Sequence, residues 1–166
     1  MILKTYVDTA PWIYSYKVNE MKALIIHHSQ QHGNTGKMAE AVAEGFGEGA
    51  TLWNTNEERF DVTKVPEYDC VAVGTPDYFS YMAGTLKTFM DDIYIAERKG
   101  VTGISGKPVG LFLSHGGGGR AKEPFEKLFK RLGDVVGETV ESSGSPSARV
   151  LDSCRELGKK LAAEVK

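Results

Sequence analysis

The apolar run from Ala23 to Ile26 is followed by a polar, glycine-containing stretch, and then by a helical pattern. Met38, Ala41, Val42, Gly45 and Phe46 recur at the spacing of one face of a 3.6-residue helix. The chain here is therefore predicted to form a strand, a tight loop over residues 29–35 and a helix. Unpaired backbone N–H groups and the positive end of the helix dipole meet at such a loop. That combination suits a phosphate group.

The spacing excludes two common phosphate loops. The nucleoside triphosphate loop G-x-x-x-x-G-K-[ST] would need glycine at Gln31 and serine or threonine at Met38. The dinucleotide pattern G-x-G-x-x-G is also missing here. A neutral loop of this kind fits a monoester phosphate held by backbone and hydroxyl donors, and the alternative is an ordinary capped turn without a ligand.

Composition limits the class of protein. A chain of 166 residues with 41% hydrophobic content can form one domain with a core. Its formal net charge is −2, without a long basic run, so the sequence does not indicate a nucleic-acid partner. It also has neither a bilayer-length apolar stretch nor the pattern of a signal peptide. Cys70 and Cys154 are expected to be reduced core residues, which favours a cytoplasmic protein.

Residues 1–20 differ from the rest of the chain. Five large apolar or aromatic side chains crowd into this segment around Pro11, and short strands are predicted at residues 3–7 and 12–18. We therefore divide the chain into an extension, residues 1–20, and a domain, residues 21–166. The extension is either dispensable, with Met21 as the true start, or an arm that packs on its own domain or on a neighbouring subunit.

Further strands and helices alternate along residues 50–166. The predicted strands cover residues 50–54, 70–74, 108–114 and 135–141, and amphipathic helices separate or follow them. This alternation predicts a parallel sheet with helices on both faces. Ligands of such sheets bind beyond the carboxyl ends of the strands, so the loops after the strands are the candidate site.

Two of these loops complement the phosphate loop. Residues 75–81 place Tyr78, Phe79 and Tyr81 just after a core strand, where aromatic rings can stack on a flat ring system. Residues 114–120 follow the next buried strand and include a run of glycines that lets the backbone approach a ligand. Together the three loops indicate a mononucleotide with a large planar ring.

From Met21 to Lys166 the chain resembles flavodoxin-like FMN-binding proteins. The loop from Ser29 to Thr35 resembles their phosphate loop, with one residue more than the flavodoxin electron carriers usually have. The stretch from Gly74 to Asp91 and the start of the third loop look more like the flavodoxin-fold quinone reductases. The resemblance implies a three-layer α/β sandwich with a five-stranded parallel sheet of order 2-1-3-4-5.

The resemblance also implies FMN as the cofactor and names its contacts. The phosphate would bind the first loop at Ser29, Gly33, Asn34 and Thr35, and Gln31 and His32 of the same loop also belong to the cofactor site. The isoalloxazine ring would lie between two segments, Thr75, Pro76, Asp77, Tyr78 and Phe79 on one side and Ser114, His115, Gly116 and Gly117 on the other. Because FMN carries the redox chemistry, no side chain is assigned as catalytic.

Several functions fit this resemblance. We expect an electron carrier that acts between a donor and a redox partner protein or small-molecule acceptor. An NAD(P)H-dependent FMN quinone or flavin reductase is the first alternative, and a non-redox binding module is the second. The carrier is not strictly typical, since the third loop lacks an aromatic residue and Asp77 stands where flavodoxins place a flexible glycine.

The histidines do not indicate a metal site. His27 and His28 are neighbours at a strand end and therefore point to opposite faces, so only one of them can share a site with His32. We expect His32 near the phosphate. His115 is expected to contact the flavin edge. The alternative role for His115 is donation of a proton to reduced flavin or quinone.

Overall fold

The computed structural model describes residues 20–165. The strands are β1 (Ala23–His27), β2 (Ala50–Asn54), β3 (Cys70–Tyr78), β4 (Tyr81–Met82), β5 (Val109–His115) and β6 (Val140–Ser143). The helices are α1 (Asn34–Phe46), α2 (Gly84–Arg98), α3 (Lys122–Phe129) and α4 (Ala148–Glu164), with a short 3-10 helix at Val62–Glu67. The predicted extension lies almost wholly outside the described residues, and its role stays a prediction.

Five strands form one parallel sheet in the order β2-β1-β3-β5-β6. Counted along the chain without the two-residue β4, this is the order 2-1-3-4-5, so the predicted fold class is confirmed. The short β4 pairs antiparallel with the end of β3. The central strands β1 and β3 are buried on both faces, as their continuous apolar runs predict.

Alternate residues of the central strands enter two cores on opposite faces of the sheet. Ala23 and Ile25 of β1 pack in the core that contains apolar residues of α1 and α4. Leu24 and Ile26 pack in the other core, with residues of α2 and α3. Both cysteines are free and buried, and burial raises the pKa of each thiol to about 12.

Two glycines allow α1 and α4 to cross at close range. A Cβ atom added to Gly158 would lie 2.2 Å from the backbone oxygen of Val42, and one added to Gly45 would lie 1.9 Å from the oxygen of Arg155. Side chains cannot occupy these positions without separating the helices. The contact therefore fixes the distance between α4 and α1, the helix that begins at the first loop.

The strand register brings the carboxyl ends together. His27 is level with Asn54 on one side and with Gly74 on the other. Ser114 in turn is level with Pro76 and with Ser142. The loops that follow β1, β3, β5 and β6 consequently leave the sheet at the carboxyl ends of the strands. The sequence predicts the site at this end of the sheet.

The last strand differs from its prediction at residues 135–141. Val135 forms only an isolated bridge with Val109, and the ladder resumes as β6 beside residues 112–115. Gly137, with φ of 69°, lies in the interval between the two pairings. The apolar residues of both paired segments are visible in the sequence, but the break between the segments is not. The predicted strand therefore begins before β6 and ends two residues before the end of β6.

Within residues 20–165, no helix combines the length and the apolar character that crossing a membrane requires.

Candidate functional site

The first loop leaves the start of α1 open. Gly33 precedes the helix with φ of 67°, and its N–H donates to the carbonyl of Gln30 at 3.0 Å. Gly33 has no side chain that could cap the helix, and the first turn of the helix contains no acidic residue. The amides of Asn34 and Thr35 begin the helix and so have no intrahelical acceptor. An anion at this end would meet N–H donors and the positive end of the dipole.

Hydrogen bonds hold the hydroxyl groups around this opening. The oxygen of Ser29 accepts from the N–H of Gly36 at 3.1 Å, which leaves its proton free to donate to another acceptor. The backbone of Ser29 is held on both sides by the Asn54 side chain, at 3.0 and 3.1 Å. Thr35 Oγ1 and Ser114 Oγ lie 2.8 Å apart in a buried contact, so the first and third loops are directly linked.

The second loop is a hairpin rather than an irregular segment. β3 runs on through Pro76 and Asp77 to Tyr78, which pairs with Tyr81. Phe79 and Ser80 form the tip with φ of 54° and 66°, as in a type I′ turn. Such turns favour asparagine and glycine, so the residue types Phe-Ser do not predict this one.

Asp77 fixes the base of the hairpin. One carboxylate oxygen accepts from the N–H of Ser80 at 2.8 Å, and the other accepts from the N–H of Ala121, just before α3, at 3.1 Å. The hairpin is thus tied to the segment that follows the third loop. Asp77 has a structural role that its sequence position does not indicate.

The third loop presents open backbone next to a histidine. A Cβ atom added at Gly116 or Gly117 would meet no atom within 4 Å, so the space above this backbone is free. His115 Nε2 lies 4.0 Å from a carboxylate oxygen of Glu141, whose other oxygen accepts from Lys122 Nζ at 2.6 Å. The buried Nδ1 of His115 has no hydrogen-bond partner among the described residues.

These loops surround one cavity of about 650 Å³. Twelve of the residues that the sequence analysis assigned to FMN line it: Ser29, Gln31, His32, Gly33, Asn34, Thr35, Pro76, Asp77, Tyr78, Ser114, His115 and Gly116. All three predicted loops therefore meet in one place. The cavity combines an open helix end, one aromatic side chain and a glycine backbone.

Comparison with known sequences shows the family of this chain, although no family model matches it. A flavodoxin of Clostridium beijerinckii is 31% identical over 134 residues, which cover 78% of this chain and 92% of that protein. The chain belongs to the flavodoxin family. A flavodoxin of Aquifex aeolicus is likewise 31% identical, over 85% of each chain. The predicted resemblance is confirmed, and with it FMN, the cofactor of the flavodoxin family.

A solved structure extends this likeness to three dimensions. A flavodoxin from the domain Archaea superposes with a TM-score of 0.74 at 25% identity, over 87% of this chain and 99% of that one. The chain also matches longer proteins, of which it spans about a third or less. It covers 35% of the coenzyme F420H2 oxidase of Methanothermobacter marburgensis, at 29% identity over 84% of this chain, and 28% of a putative diflavin flavoprotein of Nostoc.

Three residues assigned to FMN lie outside the lining of this flavodoxin cavity. Thr75 is fully buried, and its hydroxyl donates to the carbonyl of Pro76 and accepts from the N–H of Ala83. Phe79 is fully exposed at the hairpin tip, where its φ is 54°. Gly117 lies one residue beyond the lining segment. Their contact with FMN stays a prediction.

Four lining residues are absent from the predicted set, namely Gln30, Lys37, Gly144 and Ser145. Gln30 belongs to the first loop, and its side-chain oxygen accepts from the Tyr78 hydroxyl at 3.2 Å. Gly144 and Ser145 follow β6, at the same end of the sheet as the other loops. They would have been included in the predicted site if the last strand had been predicted to end at Ser143. Lys37 belongs to α1, and its place in the lining could not be predicted without knowing the direction of its side chain.

The adjacent histidines at the end of β1 point in opposite directions, as predicted. His28 Nδ1 lies 2.8 Å from Thr85 Oγ1 at the start of α2, whereas Nε2 of His27 lies towards Gly36 in α1. Burial is the main cause that lowers the pKa of both side chains. Among residues 20–165, no three histidine, cysteine or acidic side chains are grouped to hold a metal ion.

Proposed function

We propose that this protein is a cytoplasmic FMN-binding electron carrier of the flavodoxin type, which exchanges electrons with a redox partner protein or a small-molecule acceptor. One observation carries the proposal: the open end of α1, Tyr78 and the glycine backbone of the third loop line the same cavity. Flavodoxin relatives that this chain covers almost completely support it.

The chemistry of the first loop fits the phosphate of FMN. Backbone amides at the start of α1 and the hydroxyl of Ser29 supply donors, and the side chain of Asn34 lies in the same lining. No carboxylate occupies the first turn of α1 to repel an anion. These residues would hold the phosphate through hydrogen bonds from several backbone and side-chain groups.

The other two loops fit a flat ring. Tyr78 lines the cavity from the hairpin, and its hydroxyl is held by Gln30, so its position is defined from both ends. A Cβ atom added at Gly116 would meet no atom within 4 Å, so a ring edge can approach this backbone closely. The bond between Thr35 and Ser114 keeps the phosphate loop and this ring-edge loop at a fixed separation.

FMN supplies the electron chemistry when it is bound, and the chain supplies position and access. Asp77 holds the hairpin against the segment before α3, which keeps Tyr78 beside the cavity. His115 lies at the cavity wall with Glu141 and Lys122 behind it, and so provides a polar edge. No side chain is required to form a bond to a substrate.

A reductase that accepts hydride from NAD(P)H is the second candidate. The free space above Gly116 and Gly117 favours it, because a nicotinamide requires an open ring face. Electron carriers require only an exposed ring edge. An open space beside Gly116 and Gly117 is thus compatible with two-electron transfer from NAD(P)H as well as with one-electron exchange.

The test is reconstitution with FMN followed by stepwise reduction, first with dithionite and then with NAD(P)H, while the absorbance spectrum is recorded. We expect tight binding of FMN, two resolved one-electron steps and no response to NAD(P)H. Direct two-electron bleaching by NAD(P)H would instead identify a reductase. A chain that fails to bind FMN would refute both candidates.

We further propose that residues 1–20 form an arm that packs on this domain or on a second copy of the chain. The support is the concentration of aromatic residues in that segment, which are costly to leave in water. Comparison of the full chain with one that starts at Met21, by thermal unfolding and by size in solution, tests this. Identical results for the two would contradict it.

A further inference from the structure

His28 is buried beside the cavity without lining it. Only 6% of the residue is exposed, and the lining includes the next residue, Ser29, but not His28 itself. The backbone N–H of His28 donates to the carbonyl of Gly74 at 3.1 Å, so its backbone continues the pairing of β1 with β3. A buried imidazole is costly unless its polar atoms have partners. The contacts of His28 therefore indicate its role.

A chain of hydroxyl groups holds one side of the imidazole. Nδ1 of His28 lies 2.8 Å from Oγ1 of Thr85, which lies 2.7 Å from Oγ1 of Thr55. Thr55 Oγ1 in turn lies 3.1 Å from the backbone oxygen of His27. A carbonyl can only accept, so the Thr55 hydroxyl is the donor in this last contact. Each hydroxyl has a single proton, and the chain therefore has one direction.

That direction determines the tautomer of His28. Because Thr55 donates its proton to the carbonyl, the Thr85 hydroxyl must be the donor in the contact between the two threonines. Thr85 then has no proton left, so Nδ1–H of His28 donates to it. Nε2 is consequently the unprotonated nitrogen, and this buried atom has no hydrogen-bond partner within residues 20–165. The other tautomer would break the chain and leave a buried N–H without an acceptor, which is more costly.

The imidazole also contacts the aromatic side chain of the cavity. The rings of His28 and Tyr78 are nearly perpendicular, at 84°, and their centroids lie 5.6 Å apart, an arrangement that aromatic pairs favour. Burial lowers the pKa of His28, so this contact is made by a neutral ring at neutral pH. Tyr78 is 40% exposed, and its hydroxyl bonds to Gln30 at 3.2 Å, which is long for two oxygens. The imidazole therefore restrains the body of the Tyr78 ring.

We infer that His28 is a positioning residue, which is oriented by Thr85 and holds the ring of Tyr78 in the wall of the cavity. The inference rests on the proposed function and adds to it the residue that sets the geometry of the stacking side chain. His28 neither bonds to the ligand nor exchanges a proton with it. Its effect on bound FMN should therefore exist only while Tyr78 is present.

The tautomer is tested in the ligand-free protein, from the nitrogen chemical shifts of the histidine side chains at neutral pH. We expect Nδ1 of His28 to be protonated in the unmodified chain. Thr85→Val removes the acceptor with little change in side-chain shape and should shift His28 towards the Nε2–H tautomer. Thr88→Val is the matched control, because Thr88 belongs to the same helix and its hydroxyl donates to the carbonyl of Gly84. A protonated Nε2 and bare Nδ1 in the unmodified chain would overturn the inference.

The effect on the cofactor is tested by a double-mutant cycle. His28→Gln removes the ring contact, and we expect it to weaken FMN binding about two- to tenfold, the contribution of one aromatic pair. It should also shift the absorbance spectrum and reduction potential of bound FMN. In the Tyr78→Ala background the same change should have no further effect. His27→Gln is the matched control, because His27 is a similarly buried histidine directed towards α1, and any effect it has should be equal in both backgrounds.

Two results of the cycle would overturn the inference. Equal effects of His28→Gln with and without Tyr78 would mean that His28 acts on the fold of the loop rather than through the ring. Unchanged affinity, spectrum and potential in His28→Gln would mean that the imidazole does not position Tyr78. In both cases the proposed function would stand, because the unmodified chain still binds FMN. If the unmodified chain did not bind FMN, the proposed function would fail and the inference would fail with it.

Discussion

The crossing of α1 and α4 offers a quantitative test of how the site is supported. In the Gly158→Ala variant the new Cβ would lie 2.2 Å from the oxygen of Val42 and 2.6 Å from the nitrogen of Phe46, whereas ordinary contacts begin at 3.4 Å. All these atoms belong to the backbone, so no side chain can rotate away. The helices must separate by roughly 1 Å, the shortfall in that contact.

The expected magnitude combines two opposing effects. Overpacking of this kind costs about 1 to 3 kcal/mol, and it leaves neighbouring contacts looser. Alanine is favoured over glycine within a helix by about 0.8 to 1 kcal/mol, which offsets part of the loss. We expect a net loss of stability of up to about 2 kcal/mol, the upper end of the difference between these two ranges.

Gly84→Ala is the matched control. Gly84 begins α2, and a Cβ there would meet no atom within 4 Å. The same chemical change is therefore expected to be neutral or to stabilise the protein by up to about 1 kcal/mol, mainly through the unfolded state. The comparison separates the close contact from the general effect of adding a methyl group.

The assay is urea unfolding followed by circular dichroism, at one fixed FMN concentration because a bound ligand adds to stability. A second readout is FMN affinity, which should fall in Gly158→Ala because the start of α1 belongs to the cavity. If Gly158→Ala were as stable as Gly84→Ala, the helices would not approach as closely as the structure shows.

Three further predictions concern the cavity and the buried histidines. Tyr78→Ala should shift the absorbance spectrum and reduction potential of bound FMN more than Phe79→Ala does, because Tyr78 lines the cavity and Phe79 is exposed at the hairpin tip; equal shifts in the two variants would contradict this order. Asn34→Asp should weaken FMN binding by placing a carboxylate beside the phosphate, although a negative charge at the helix start should not lower the melting temperature of the ligand-free protein; unchanged FMN affinity would remove Asn34 from the site. Burial lowers the pKa of His27 and His28 in the folded state, so below about pH 6.5 the unfolded chain binds more protons and stability should fall as pH decreases towards 5. A melting temperature that is constant over that range, or a decrease that persists when both histidines are replaced by glutamine, would refute the assignment.

Much of the fold follows from local patterns. The apolar runs that become β1, β3 and β5 mark strands buried on both faces, and the helical spacing of Leu86, Phe89 and Met90 marks α2. These signals are visible in the sequence because burial acts on the side chains of one short segment at a time. The break before β6 was not visible, since it depends on pairing with β5 rather than on the segment itself.

The sequence by itself determined the alternation of the parallel strands with helices, the end of the sheet at which the loops gather and the polar, glycine-containing composition of the loop after β1. It could do so because periodicity and loop composition are local properties. The tertiary structure alone decided which groups meet there: Thr35 contacts Ser114 across 79 residues, Asp77 accepts a hydrogen bond from Ala121, and Thr75 is buried. Contacts of this kind depend on register and on the direction of each Cβ bond, and both are set only when distant segments pack against one another.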